Sequence, residues 1–164
     1  MKKILTLALT LTLLSCGFTP MYSADTISGT AIQRDIFITP ISGTNGIDLR
    51  NALRAKFGTD NDSPSAKYTL SVDLKNPETI LKALQITGDA TWQEVRLTAH
   101  YILKETATGN VIVTATDTAS ESYTFVRDLV AAKASHNNAA QNATRILAEK
   151  ISTRVNAKLA NGDK

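Results

Sequence analysis

Strict alternation of apolar and polar residues predicts two half-buried β-strands, over residues 68–75 and 95–103. Their shared apolar face consists of Tyr68, Leu70, Val72, Leu74, Val95, Leu97, Ala99, Tyr101 and Leu103. A turn at residues 106–110 then leads into a return strand over residues 111–124, which is rich in Val, Ile and Thr. These segments predict an antiparallel meander.

An Ile-rich run over residues 32–41 predicts an earlier strand. Apolar residues then recur at helical spacing over residues 47–57. Asn45 is the predicted N-cap of this helix, and Gly58 is its predicted C-terminal stop. The order strand, helix, strand therefore precedes the meander.

A second helix is predicted over residues 127–159, because this segment is rich in alanine, lacks Gly and Pro, and is followed by Asn161-Gly162. An apolar ridge at i+4 spacing consists of Ala143, Leu147, Ile151, Val155 and Leu159. Residues 78–91 fit a helical turn or a strand stub, and we expect a mobile loop with apolar character there. The predicted fold class is α+β: a two-layer sandwich, β-α-β-β-β-α, with two helices packed on one face of a four-stranded, mainly antiparallel sheet.

The N-terminus carries the pattern of a bacterial lipoprotein signal. Lys2 and Lys3 precede an apolar run over residues 4–14, which is about half the length that a membrane-spanning helix needs. Leu13-Leu14-Ser15-Cys16 then forms a lipobox, and Cys16 is the only cysteine of the chain. We therefore predict cleavage after residue 15 and acylation of Cys16. Several acyl chains would anchor the protein more firmly than one chain. The alternative is an ordinary cleaved signal followed by a free cysteine.

Three segments follow from these patterns: a signal peptide (residues 1–15), a lipidated tether (16–30) and a single α+β domain (31–160). Removing Lys2 and Lys3 leaves 16 basic against 15 acidic residues, so the mature chain has a net charge near +1. No Lys- or Arg-rich block is present, and nothing in the charge pattern favours nucleic acid as a partner.

Catalytic motifs are scarce, so we expect the protein not to be an enzyme and to need no cofactor or metal. His100 and His136 are the only histidines, and structural roles are favoured for both over metal ligation. The chain contains no Gly-x-Ser-x-Gly elbow and no glycine-rich phosphate loop. Asp117 and Glu121 are interpreted as surface groups of a sheet edge or as partners of Arg96 or Lys104 across the hairpin.

A binding or structural role therefore remains. Lys133, Lys82 and Arg96 are the candidate ligand-binding residues, because cations beside exposed amides suit an anionic ligand such as phosphate. Solvated charges are the alternative interpretation. Threonine and serine line the predicted outer sheet face, where they are suited to hydrogen-bonding a polar partner or water.

The segment Cys16-Gly17-Phe18-Thr19-Pro20-Met21-Tyr22 resembles the start of the mature protein in the lipopolysaccharide-assembly lipoprotein family, the E component of the transport machinery. The resemblance continues through most of the chain. It includes Leu49-Arg50-Asn51-Ala52-Leu53, Tyr101-x-Leu103 before Thr108-Gly109, Ser122-Tyr123, and Ile151-x-x-Arg154-Val155. Val155 stands where the family usually has leucine.

The resemblance implies a Gram-negative outer-membrane lipoprotein, lipid-anchored on the periplasmic side and carrying palmitate or a similar acyl chain on Cys16. It would plug and help to assemble a large β-barrel translocon, in a one-to-one complex, and take part in inserting lipopolysaccharide into the outer leaflet. Gly17 is compatible with outer-membrane sorting. An auxiliary lipoprotein of another envelope complex, such as a lipid-trafficking transporter or a Tol-like system, is the alternative.

Overall fold

A computed structural model describes residues 35–59, 65–84 and 90–162 of the chain. Five strands and two helices follow one another in the order β1 Ile36–Ile38, α1 Thr44–Phe57, β2 Tyr68–Leu74, β3 Glu78–Leu84, β4 Ala90–Glu105, β5 Val111–Thr124 and α2 Leu129–Gly162. Both helices lie on one face of the sheet, and the predicted α+β two-layer sandwich is thereby confirmed. The predictions for the signal peptide, Cys16 and the tether lie outside the described residues.

The long strand β4 is the centre of the sheet. On one side it pairs antiparallel with β2 through residues 99–105 and with β3 through residues 90–96, so β2 and β3 lie end to end. On the other side β5 pairs with nearly the whole length of β4. Strand β1 adds to β2 in parallel, with α1 as the crossover.

The molecule has two distinct ends. At the base, the hairpin of β4 and β5 turns at residues 106–110, and the backbone oxygen of Asp35 accepts a hydrogen bond from the Tyr68 N–H at 3.0 Å. The chain therefore enters the described fold at the base. At the opposite end, Trp92 at the start of β4 lies across from Thr124 at the end of β5. Helix α2 runs from that end toward the base, and its 34 residues span about 50 Å at roughly 1.5 Å per residue.

The core lies between the inner sheet face and the two helices. Leu97, Tyr101, Leu147 and Ile151 are completely buried there, and the predicted α2 ridge and predicted apolar strand face are thus confirmed. The exposed fraction of Leu159, at the end of the ridge, is 9%. The Arg50 Nε donates to the carbonyl of Ile38 at 3.0 Å, which ties α1 to β1.

Helix α1 begins at a glycine-dependent turn rather than at a side-chain cap. Gly43 is the N-cap with φ 82°, and no side chain caps the helix, so the prediction of Asn45 as N-cap was wrong. A Cβ at Gly46 would lie 2.8 Å from the backbone oxygen of Ile41, which explains the second glycine of this turn. Gly58 takes a left-handed conformation, and its N–H donates a hydrogen bond to the backbone oxygen of Arg54. The prediction that Gly58 ends this helix is thus confirmed.

The prediction of a mobile loop at residues 78–91 was wrong over residues 78–84, which form β3, and at residues 90 and 91, which begin β4. The register of β3 against β4 shifts between Leu81 and Ala83 and again between Ala83 and Leu84. Such irregularities displace apolar side chains from a period of two, so the sequence showed no alternation there. The sheet therefore has five strands instead of four.

Candidate functional site

The outer sheet face is polar and is covered by neither helix. Cross-strand hydroxyl and imidazole contacts run along it: Thr98 Oγ1 lies 3.2 Å from Thr118 Oγ1, and His100 Nδ1 lies 3.0 Å from Thr116 Oγ1. His100 is exposed on this face, as predicted. The face therefore offers hydroxyl groups over most of the length of β4 and β5.

Two of the three predicted anion-binding cations lie together on this face. The Lys82 Nζ is 2.8 Å from Glu94 Oε2, and the Arg96 guanidinium is 3.0 Å from Glu94 Oε1. The Lys82 ammonium is the main cause that holds the pKa of Glu94 below its usual range, and Arg96 acts in the same direction. Glu78 lies opposite Arg96 in the register of β3 against β4, so two cations and two carboxylates meet at this position.

Lys133 lies elsewhere, on α2 in the helix layer. It borders a polar cleft of about 390 Å³ between the start of α1 and the first turns of α2. The other side chains around this cleft are Thr44, Asn45, Asp48, His136, Asn137, Ala140 and Gln141. Lys133 is thus separated from Lys82 and Arg96 by the sheet, and the three cations do not form one site.

His136 is half-buried between α2 and the inner sheet face. Its ring meets that of Tyr123 edge-on, with 5.7 Å between the centroids, and its Nε2 lies 3.5 Å from Thr79 Oγ1. Nδ1 has no hydrogen-bond partner among the described residues. These contacts are those of a histidine packed between structural elements.

Asp117 is buried, so its interpretation as a surface group or a partner of Arg96 or Lys104 was wrong. It accepts a hydrogen bond from the Tyr101 hydroxyl at 2.6 Å and two from Arg154, at 2.7 and 3.2 Å. Arg154 is the main cause that lowers the pKa of Asp117, and burial raises the pKa of Tyr101. The network joins β4, β5 and α2. Asp117 is in phase with the inward-facing Val113 and Ala119, and this spacing is the signal in the sequence from which its burial could have been predicted.

The far end of the molecule carries exposed apolar side chains, a feature that sequence analysis missed. They are Leu81, Trp92, Phe125, Val126, Leu129 and Val130, with exposed fractions from 38% to 84%. We call this set the apolar tip. The pairs Phe125-Val126 and Leu129-Val130, which flank Arg127-Asp128 between β5 and α2, are the signal in the sequence. Asp128 caps α2 by accepting a hydrogen bond from the Ala131 N–H at 2.8 Å, which fixes where these pairs lie.

In the described part of the chain, no three His, Cys, Asp or Glu residues are grouped closely enough to bind a metal ion. Neither described helix combines the length and the apolar character that crossing a membrane requires.

Solved structures of bacterial lipoproteins share this fold. A Caulobacter crescentus protein classed as a lipoprotein matches with a TM-score of 0.68 at 19% identity, over 82% of this chain and 97% of that one. A minor lipoprotein from Acinetobacter baumannii matches with a TM-score of 0.59 at 21% identity, over 76% and 92% of the two chains. The rare lipoprotein B of Shewanella oneidensis matches with a TM-score of 0.61 at 12% identity, over 79% and 98%.

At these identities the likeness shows a common fold over nearly the full length of the three lipoproteins. No protein-family model and no curated protein sequence matches the chain.

Proposed function

We propose that this protein is an outer-membrane lipoprotein that plugs, and helps to assemble, a β-barrel lipopolysaccharide translocon. The observation that carries the proposal is the fold shared with bacterial lipoproteins, in a chain whose residues 13–16 have the lipobox pattern. The resemblance of residues 16–22 to lipopolysaccharide-assembly lipoproteins adds the particular system. Cys16 would hold the lipid anchor on the periplasmic side.

The polar outer sheet face supports a plug role. Barrel lumens are polar, and a plug must present groups that hydrogen-bond to polar side chains or to trapped water. The outer face does this through Thr98, Thr116 and Thr118, while the apolar inner face is already covered by α1 and α2. Binding through this face therefore leaves the core intact.

The length of the fold supports the same role. Helix α2 spans about 50 Å, which is comparable with the ~40–45 Å of a bilayer including its headgroups. A protein anchored at its base and standing in a barrel would extend from the periplasmic side to the level of the outer leaflet. Lys82, Arg96 and Lys133 lie in the half of the molecule that would be nearest to that leaflet, where they are suited to contact phosphates of lipopolysaccharide.

The experiment that tests the proposal is purification of the lipidated protein from its native membranes in mild detergent, with identification of co-purifying proteins by mass spectrometry. We expect one stoichiometric large β-barrel protein. An inner-membrane transporter or a peptidoglycan-linked complex as the partner would contradict the proposal and favour the alternative, a lipoprotein of another envelope system.

A variant pair tests whether the outer face is the contact surface. Thr116→Lys combined with Ser120→Lys adds two charges to exposed positions of β5, and we expect at least a tenfold loss of the co-purifying barrel. Ala160→Lys places a charge at an exposed position near the end of α2 and should leave the complex unchanged. Equal loss in both variants, or in neither, would contradict the assignment of this face.

A further inference from the structure

We propose that the apolar tip inserts into the surface of an anionic lipid layer, with the cations behind it on the headgroups. This inference rests on the proposed function in one respect: the barrel would bring the tip to the level of a lipid layer. The chemistry of the contact depends on the tip residues themselves. The inference assigns a role to six exposed side chains that a barrel plug does not by itself require.

The concentration of apolar surface at one end is the first argument. Leu129 and Val130 have exposed fractions of 84% and 81%, and Trp92 has 50%. Beyond the tip, only Ile47, Val111 and Ile146 are large exposed apolar side chains in the described part of the chain, and these three lie apart from one another. Exposed apolar side chains gathered at one place mark an interaction surface, whereas scattered ones are normal.

The position of the cations relative to the tip is the second argument. Lys133 follows Leu129 by four residues on α2, which is about one turn, or roughly 6 Å. Arg96 follows Trp92 by four residues on the same face of β4, about 13 Å along the strand. Amphipathic elements that lie in a lipid surface bury their apolar groups about 5–10 Å deep, so Lys133 lies among the headgroups and Arg96 lies just behind them. Among the charges nearest the tip, Lys82, Arg127 and Lys133 outnumber Glu94 and Asp128, and this excess of positive charge favours an anionic layer.

The point where the described chain begins is the third argument. Asp35 lies at the base, at the end of the described fold opposite the tip. Trp92 suits a contact with lipid because tryptophan is enriched where lipid meets water.

The sole tryptophan of the chain provides the measurement, because Trp92 belongs to the tip. The chain from residue 16 onward, with Cys16→Ser to prevent acylation, is mixed with phosphatidylcholine vesicles containing phosphatidylglycerol with brominated acyl chains. We expect a blue shift and strong quenching of Trp92 fluorescence, because bromine quenches tryptophan only at short range.

Variants test which residues are responsible. Leu129→Ser combined with Val130→Ser should weaken vesicle binding at least tenfold. Val111→Ser, at an exposed apolar position at the base, should leave binding unchanged. Lys133→Gln should weaken binding to anionic vesicles about fivefold, because a cation near such a surface contributes about 1 kcal/mol, and should not alter binding to pure phosphatidylcholine.

Several outcomes would overturn the inference. They are an unchanged Trp92 spectrum with anionic vesicles, equal weakening by Val111→Ser, and equal binding to neutral and anionic vesicles. A lipid-independent dimer that buries Trp92, detected by analytical ultracentrifugation, would assign the tip to a second copy.

The two proposals can fail separately. If the protein does not bind vesicles while the barrel still co-purifies, only this inference fails. If vesicle binding succeeds without a barrel partner, the proposed translocon role fails and the lipid surface stands.

Discussion

The two halves of the sheet differ in how completely they are covered. In the base half, β1, β2, β4 and β5 lie side by side and both helices pack on the inner face. In the tip half, the strands among the described residues are β3, β4 and β5, and the buried apolar cluster there is smaller: it consists of Val95, Ala139 and Ala140, with Tyr123 beside it.

The placement of α1 explains the difference. Thr44 at the start of α1 borders the same cleft as Asn137, and Lys56 near its end forms an ion pair with Glu149. The two helices therefore run in the same direction, and the first turn of α2, which precedes Lys133, extends beyond this cleft. The base half holds the fold together, while the tip half leaves apolar surface available for binding.

The largest expected effect comes from charging the base core. Tyr101 is completely buried, and Tyr101→Asp would place a second carboxylate beside Asp117 without a solvent shell. We expect loss of cooperative unfolding in thermal circular dichroism. His100→Asp is the matched control, because the neighbouring side chain points to the exposed outer face. A thermal transition of Tyr101→Asp equal to that of the wild type would contradict the description of the base core.

The base half is also the half that sequence pattern predicted well. Period-two alternation in residues 68–75 and 95–103 and the i+4 ridge of α2 are direct consequences of one-sided burial. The tip half was predicted poorly because β3 has shifted register against β4 and Leu81 is exposed, so burial imposes no clean period there. Parallel pairing of β1 with β2 is a long-range property that residues 32–41 do not encode.

A pair of leucine truncations on α2 measures the contrast directly. Leu147→Ala removes a completely buried side chain from the base core and should cost about 2–5 kcal/mol of unfolding free energy. Leu129→Ala removes an exposed side chain from the apolar tip and should change stability by less than about 0.5 kcal/mol. Urea denaturation measures both. A cost for Leu129→Ala that approached that of Leu147→Ala would mean that the tip is part of the core.

The Asp117 network should make the base sensitive to acid. Since Arg154 lowers the pKa of Asp117 in the folded state, the ion pair contributes stability above the ordinary carboxyl pKa of about 4 and loses it as the pH falls through the lowered value. Arg154→Met should cost about 1 kcal/mol at pH 7, a modest amount because the Arg154 side chain is 51% exposed. The difference from wild type should narrow below about pH 4.

Arg145→Met is the control for that experiment, because Arg145 is an exposed arginine of the same helix. A difference between Arg154→Met and wild type that stayed constant from pH 7 to pH 3 would show that the arginine acts by packing alone. The network could be predicted only in part. The phase of Asp117 with Val113 and Ala119 indicates an inward side chain, but its partner on α2 follows from how the helix lies on the sheet.

The smallest expected effect is at Glu94, the carboxylate behind the apolar tip. Glu94→Gln removes one of three charges, and Lys82 and Arg96 are exposed enough to be solvated, so stability should change by less than about 1 kcal/mol. The tip half would gain one net positive charge. Binding to anionic vesicles should therefore increase about fivefold, which corresponds to about 1 kcal/mol for one charge near the surface.

Asp73→Asn is the control for this variant. It removes an exposed carboxylate that pairs with Lys75 away from the tip, and it should leave vesicle binding unchanged. Equal increases in the two variants would mean that overall charge, rather than the charge behind the tip, governs the contact with lipid.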